Sequence, residues 1–211
     1  MKKKLLLAID DCSKALEQLR LPSSLAFLEN ASRMLADCFQ NGNKVIVAGN
    51  GGSLCDASHF AEELTGIFRK TRRALPAIAL SESGHLTCVG NDLGFEWVFA
   101  RGVQAYGKKG DIFVGLTTSG NSLNIIRAFE EAKRQQLYTI AFLGKGGGQL
   151  KEFADLELLI DGFSTSDRIQ EVHMVAIHLL IEQIEEILFY SNPIEESVSK
   201  YSELQCSFIN E

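Results

Sequence analysis

KVIVAGNGGSLCDASHFAEEL, residues 44–64, is the most informative stretch of the chain. Val45, Ile46, Val47 and Ala48 form a short continuous apolar run, as a strand buried on both faces requires. Gly49, Gly51 and Gly52 follow; without Cβ atoms they admit positive φ and let a ligand come close to the backbone. Ser53 and Asp56 make an S-x-x-D signal, which predicts a helix starting there with its free N–H groups aimed back at the loop. On that helix His59 and Glu63 are four residues apart, hence on one face, one turn below the loop. Strand, glycine loop, helix and an acid–base pair behind the loop together point to a small-molecule site.

The same alternation continues on both sides. Upstream, residues 4–20 and 23–40 read as two amphipathic helices separated by Pro22 and stopped at Asn41-Gly42. Downstream, Pro76–Leu80, Ile112–Leu116, Tyr138–Leu143 and Leu156–Ile160 read as four further strands. Between them the pattern predicts a loop and short helix over 81–91 and helices over 96–106 and 124–136. A glycine loop at 144–148 leads into a short helix over 149–154, and a long last helix covers 167–189. The basic run Arg69, Lys70, Arg72 and Arg73 reads as a solvated connection. Strands alternating with helices at this spacing specify an α/β fold, a doubly wound parallel sheet of five strands with right-handed crossovers. In such sheets ligands bind beyond the carboxyl ends of the strands, where both GNGGS and TTSGNS should lie. Residues 1–190 are expected to form one domain, and 191–211 a tail opening with Asn192-Pro193.

With 211 residues and 23% charged side chains, the totals fit a soluble globular protein. A net charge of −6 gives no basic footprint for nucleic acid. Five cysteines without a CxxC pair or framework spacing suit free thiols in a reducing cytoplasm. The opening MKKKLLLAIDDC imitates a signal peptide, but Asp10 and Asp11 break its apolar run too early. No stretch reaches the length of a membrane span.

Three constellations carry chemistry, each with a plainer reading beside it. Asn50–Ser53 resembles half of a dinucleotide fingerprint, yet Leu54 occupies the third glycine position and no acid ends the next strand. A bare glycine turn is the alternative. Thr117, Thr118, Ser119 and Ser122 place four hydroxyls before a helix N-terminus, a phosphate cradle that needs no lysine. Asn121 stands where a P-loop lysine would, which excludes nucleotide hydrolysis; a Ser/Thr turn capping a helix is the alternative here. The last helix carries Asp167, Gln170, His173 and His178. Ile169, Val172, Ala176 and Leu180 make one apolar face, with Gln170, Met174, Ile177, His178 and Ile181 on another. A helix apolar on two sides implies cover by a second subunit. His178 is either functional or a satisfied core residue, and His173 sits on the shoulder of the first face.

Taken together, GNGGSLCDASHFAEELTG (49–66), GNDLGF (90–95), TTSGNS (117–122) and DRIQEVHMVAIH (167–178) resemble one family. It is the sedoheptulose 7-phosphate isomerases, or phosphoheptose isomerases, of bacterial lipopolysaccharide synthesis, which belong to the sugar-isomerase (SIS) domain proteins. The resemblance covers roughly residues 5–189. It implies a five-stranded, flavodoxin-like or Rossmann-like sheet flanked by helices, a homotetramer, and active sites at subunit interfaces. The implied reaction converts sedoheptulose 7-phosphate to D-glycero-D-manno-heptose 7-phosphate without a nucleotide cofactor. Asn50, Gly51, Gly52, Ser53, Asn91, Asp92, Asp167 and Gln170 match substrate-binding positions. Thr117, Thr118, Ser119 and Ser122 match those that hold the phosphate, and Glu63 and His178 the catalytic pair. His59, Glu63, Gln170 and His178 match a zinc site seen in some members.

Two positions depart from the pattern. The family often has Ser at Thr117, which keeps the hydroxyl, and Arg at Ile67, which removes a donor. Some SIS relatives bind sugar phosphates only as sensors, and one group binds the replication initiator. Those relatives tend to lack the acid and the imidazole matching Glu63 and His178, so the pair favours an enzyme.

Overall fold

A computed structural model describes residues 1–190; the expected tail, 191–211, lies outside them. Each apolar run forms a strand: β1 (Val45–Gly49), β2 (Ala77–Ala79), β3 (Ile112–Thr117), β4 (Tyr138–Gly144) and β5 (Leu156–Ile160). All pair in parallel, in the order β2-β1-β3-β4-β5. At the centre Val45 stands opposite Ile112 and Gly49 opposite Leu116. In this order the chain reverses direction across the sheet between β1 and β3. That switch point opens a crevice at the strands' carboxyl ends. The GNGGS loop follows β1 and the TTSGNS loop follows β3, so they flank it.

Seven α-helices cover the sheet among the described residues: α1 (Lys2–Glu17), α2 (Pro22–Gln40), α3 (Gly52–Thr65), α4 (Ser83–Asp92), α5 (Val98–Tyr106), α6 (Leu123–Arg134) and α7 (Ser166–Glu185). Successive strand residues feed two cores, one on each face. Val45, Val47, Val114 and Phe142 meet Phe27 and Leu35 of α2, Phe60 of α3 and Leu180 of α7. Ile46, Ala48, Phe113 and Leu143 meet Phe99 of α5 and Ile125 and Phe129 of α6. Because both faces are covered, the strands read as unbroken apolar runs.

Pro22 opens α2 at its first turn, where its missing N–H costs nothing. The helix expected over 149–154 shortens to one 3₁₀ turn, Gly148–Leu150. The reason is Glu157, whose carboxylate accepts the N–H groups of Glu152, Phe153 and Ala154. The last helix is α-helical only to Glu185 and ends in a wider π turn through Tyr190. Its second apolar side needs no partner for Ile177 and Ile181, which are fully buried in the chain's own core with Phe60 and Leu64 of α3. Apolar exposure lies instead on α1, where Leu5, Leu6, Leu7 and Ile9 are each more than half exposed. No helix of the described residues is long and apolar enough to cross a membrane.

Candidate active site

The glycine loop starts α3 two residues earlier than the S-x-x-D signal predicts. Gly51, at φ 56°, is the N-cap, the helix begins at Gly52, and no side chain caps it. Ser53 sits in the first turn, and its Oγ accepts from Gln170 Nε2 of α7 at 3.4 Å. A Cβ at residue 52 would fall 2.6 Å from Gln170 Oε1, so a larger residue there would push the Gln170 amide aside. Asn50 and Asn124 exchange two amide hydrogen bonds, both 2.9 Å. Asn124 is buried at the head of the apolar stripe of α6 and ties the first loop to the helix that follows the second. Sequence reasoning named Asn124 only as a helix start; a polar residue leading an apolar stripe was the signal.

The second loop curls over the start of α6. Thr117 is buried, and its hydroxyl accepts from the Gly120 N–H (3.3 Å) with Ser122 Oγ 3.4 Å away. It shapes the loop. Ser119 Oγ accepts from the Asn121 N–H (3.2 Å), and Thr118 Oγ1 lies 3.0 Å from Ser166 Oγ at the start of α7. Ser122 is the N-cap but makes no side-chain cap bond, and no acid occupies the first turn of α6. Hydroxyls, free first-turn N–H groups and the positive helix end therefore converge without a competing carboxylate.

His59 and Glu63 do share one face, but two and three turns below the loop rather than one. Counting from Gly52, the helical rise puts them about 10 Å and about 16 Å along the axis. There they meet His178 of α7. His59 Nε2 lies 2.9 Å from His178 Nε2 and 3.5 Å from Glu63 Oε1, and His59 Nδ1 is 3.1 Å from Glu62 Oε1. One ligand atom from each of His59, Glu63 and His178 can be chosen so that all three fall within 4.8 Å of one another. Phe68 covers His178, ring centroids 5.8 Å apart. Gln170, beside Ser53, is eight residues before His178, about 12 Å along α7, and does not join this group within the chain. Asn91 and Asp92 are exposed at the end of α4 and bond to each other at 2.8 Å. Asp167 is exposed on the first turn of α7, where a hydrogen bond from Thr165 holds its carboxyl below its ordinary pKa.

The basic run is not a solvated connection throughout. The Arg72 side chain is buried, 1% exposed, and pairs with Glu185 at 2.8 Å. Its guanidinium donates to the carbonyls of Glu63 (2.7 Å), Leu64 (2.8 Å) and Gly66 (2.9 Å), which the end of α3 leaves without helical donors. His173 is a core residue: fully buried, 3.1 Å from Leu143 O, and pushed down to about 4 by burial.

Asp56 faces the cleft formed with Asp167, Gln170, Glu171 and Met174. It is nearly buried, and among the described residues its Oδ2 has no hydrogen-bond partner. Burial pushes its carboxyl up from 3.8 to about 6, against the opposing pull of His59. A carboxyl with a raised folded pKa binds its proton more tightly when folded. Stability therefore falls as pH climbs from about 4 to about 6, and the penalty is complete above that. Asp56→Asn removes it. The variant is expected to be more stable by about 1–2 kcal/mol at pH 7 and no more stable near pH 4, read from denaturant midpoints. Equal midpoints at pH 7 would contradict this account.

The SIS domain family matches residues 9–144 of the chain. A phosphoheptose isomerase of Fusobacterium nucleatum is 55% identical over 168 residues, 80% of this chain and 86% of that protein. One from Vibrio cholerae is 51% identical over 162 residues, 77% of this chain and 85% of the relative. The solved structure of a phosphoheptose isomerase from Francisella tularensis superposes with a TM-score of 0.82 at 34% identity, covering 87% of this chain and 97% of that one. The chain belongs to the SIS-domain proteins and, within them, to the phosphoheptose isomerase family.

Proposed function

We propose that the enzyme interconverts sedoheptulose 7-phosphate and D-glycero-D-manno-heptose 7-phosphate, supplying heptose for bacterial lipopolysaccharide. The observation that carries this reading is the meeting of Glu63 and His178 in one half-buried group, in a chain that also builds an anion cradle of hydroxyls and helix N–H groups at the switch point. Glu63 takes a proton from C1 of the ketose to give an enediol, and a proton returned to C2 gives the aldose. C1 is oxidised as C2 is reduced, so no outside redox partner enters. His178 carries the proton between the two oxygens; an imidazole suits that task near neutral pH. The phosphate, remote from the reacting carbons, fixes the sugar's position.

The distance from the glycine loop down α3 to Glu63 supports a site shared between chains, with one copy's loops serving the acid–base group of another. The exposed leucines of α1 support the same assembly, a homotetramer. Light scattering should report four times 23.3 kDa for the active enzyme; a stable, active monomer sinks the shared site. Free thiols at Cys12, Cys38, Cys55 and Cys88 suit the cytoplasm.

His59, Glu63 and His178 also suit zinc, three nitrogen and oxygen donors with a position left open, and Gln170 would complete the set from a neighbouring copy. Bound there, zinc would polarise the sugar's oxygens as a Lewis acid. Sedoheptulose 7-phosphate assayed with and without a chelator tests activity and metal together. Desalted protein should isomerise the sugar and keep about one zinc per chain, and His59→Ala and His178→Ala should lose the metal. Protein that binds the sugar phosphate yet never isomerises it would be a sensor.

A further inference from the structure

Residues 144–148 read GKGGG, a loop to which the chemistry above gives no task. It follows β4, the neighbour of β3, and so lies on the same side of the sheet as Thr117–Ser122. The two loops are joined directly. The Leu150 N–H donates to Gly120 O at 3.2 Å, and the Gln149 N–H to Asn121 Oδ1 at 3.1 Å. Gly120 has φ 64°, and a Cβ there would fall 1.7 Å from Gly147 O, so backbone rests on backbone with no side chain between.

Lys145 contributes the loop's one side chain. It adopts φ 49°, a left-handed conformation that another glycine would take without steric cost. Its Nζ lies 3.1 Å from Ser166 Oγ, which is itself 3.0 Å from Thr118 Oγ1. The ammonium therefore stands one hydroxyl away from the anion cradle. Among the described residues no carboxylate pairs with it; the adjacent Asp167 is held by Thr165 and Arg168.

We propose that Lys145 is the cation of the phosphate site and the residue that makes the enzyme select phosphorylated sugars. This rests on reading Thr117–Ser122 as the phosphate cradle. That cradle offers only neutral donors and a helix end, whereas a phosphate monoester carries close to two negative charges at pH 7. A lysine on a flexible stem supplies a point charge, and Ser166 holds it in place until the anion arrives. The contact forms equally in ground and transition states, so its loss should raise KM and leave kcat little changed.

The test uses the full-length enzyme and three probes: sedoheptulose 7-phosphate, unphosphorylated sedoheptulose and inorganic phosphate. Lys145→Gln should raise KM for the phosphorylated sugar about 10-fold to 100-fold, the range for a charged hydrogen bond. The inhibition constant of inorganic phosphate should rise in parallel, binding of sedoheptulose should not change, and Lys145→Arg should recover most of the loss. Calorimetric titration with inorganic phosphate gives the same comparison without turnover. If Ser119→Ala weakens phosphate binding while Lys145→Gln does not, the lysine inference alone is wrong. If neither variant changes it, the phosphate cradle is misplaced and the inference falls with it.

Discussion

Glu63→Gln is expected to bind sedoheptulose 7-phosphate about as well as the parent and to turn it over about 10²–10⁴ times more slowly. The amide keeps the size and hydrogen bonds of the side chain but cannot take a proton from carbon. The position is shielded without being sealed: the Glu63 side chain is 18% exposed, and its nearest ring nitrogen is His59 Nε2 at 3.5 Å. In D₂O the parent should exchange deuterium into the substrate carbon, and the variant should not. Ser119→Ala provides the contrast, raising KM more than it lowers kcat, because a phosphate contact is made equally in ground and transition states. Glu63 is also a candidate zinc ligand, and the same oxygen cannot serve both tasks at once. Excess zinc separates them. Activity restored by added metal would make Glu63 a ligand, and exchange at the parent rate would remove it as the base.

The fold was legible because its strands announce themselves. Val45–Ala48, Ile112–Leu116 and 139–143 are buried on both faces, and parallel strands under two helical layers read as unbroken apolar runs. Boundaries were less legible where a distant side chain decides them. Glu157 truncates the turn after Gly148 by taking its N–H groups, and nothing in residues 149–154 foretells that. The start of α3 misled for a related reason: Ser53 and Asp56 match a capping box, but Gly51 had already turned the chain with φ 56°. Displaced by that turn, Asp56 is left with an unpartnered, nearly buried oxygen.

The site divides along the same line. The i, i+4 relation of His59 and Glu63 could be read from spacing alone, since it is local. Their encounter with His178, at the far end of the sequence, rested on family resemblance; the packing of α3 against α7 brings the three together. The amide pair of Asn50 and Asn124, 74 residues apart, was likewise out of reach of periodicity. Covering both sides of α7 was misattributed to a partner because Ile177 and Ile181 find their cover on α3, within the chain.

Arg72→Ala is expected to cost about 3–5 kcal/mol of stability, the usual cost of breaking a buried ion pair from one side. The basic run around it would be dispensable if it only faced solvent, as Arg69, with its side chain 59% exposed, largely does. Arg72 differs because α3 ends with carbonyls that no helical N–H can reach. Glu63 O, Leu64 O and Gly66 O all turn to one guanidinium, and Glu185, its side chain 3% exposed, balances its charge from α7. Removing the guanidinium strands the Glu185 carboxylate and the Glu63 carbonyl, while Leu64 O keeps the Leu75 N–H at 3.0 Å, and it loosens the joint between the two helices that carry Glu63 and His178. The melting temperature should fall by roughly 6–20 °C for a chain of this size. Arg72→Met combined with Glu185→Met tests the cause. The double variant should regain the part due to the stranded carboxylate but not the part due to the carbonyls, so it should fall between the single variant and the parent. A single Arg72→Ala variant as stable as the parent would show that water satisfies these carbonyls and that the pair holds nothing in place.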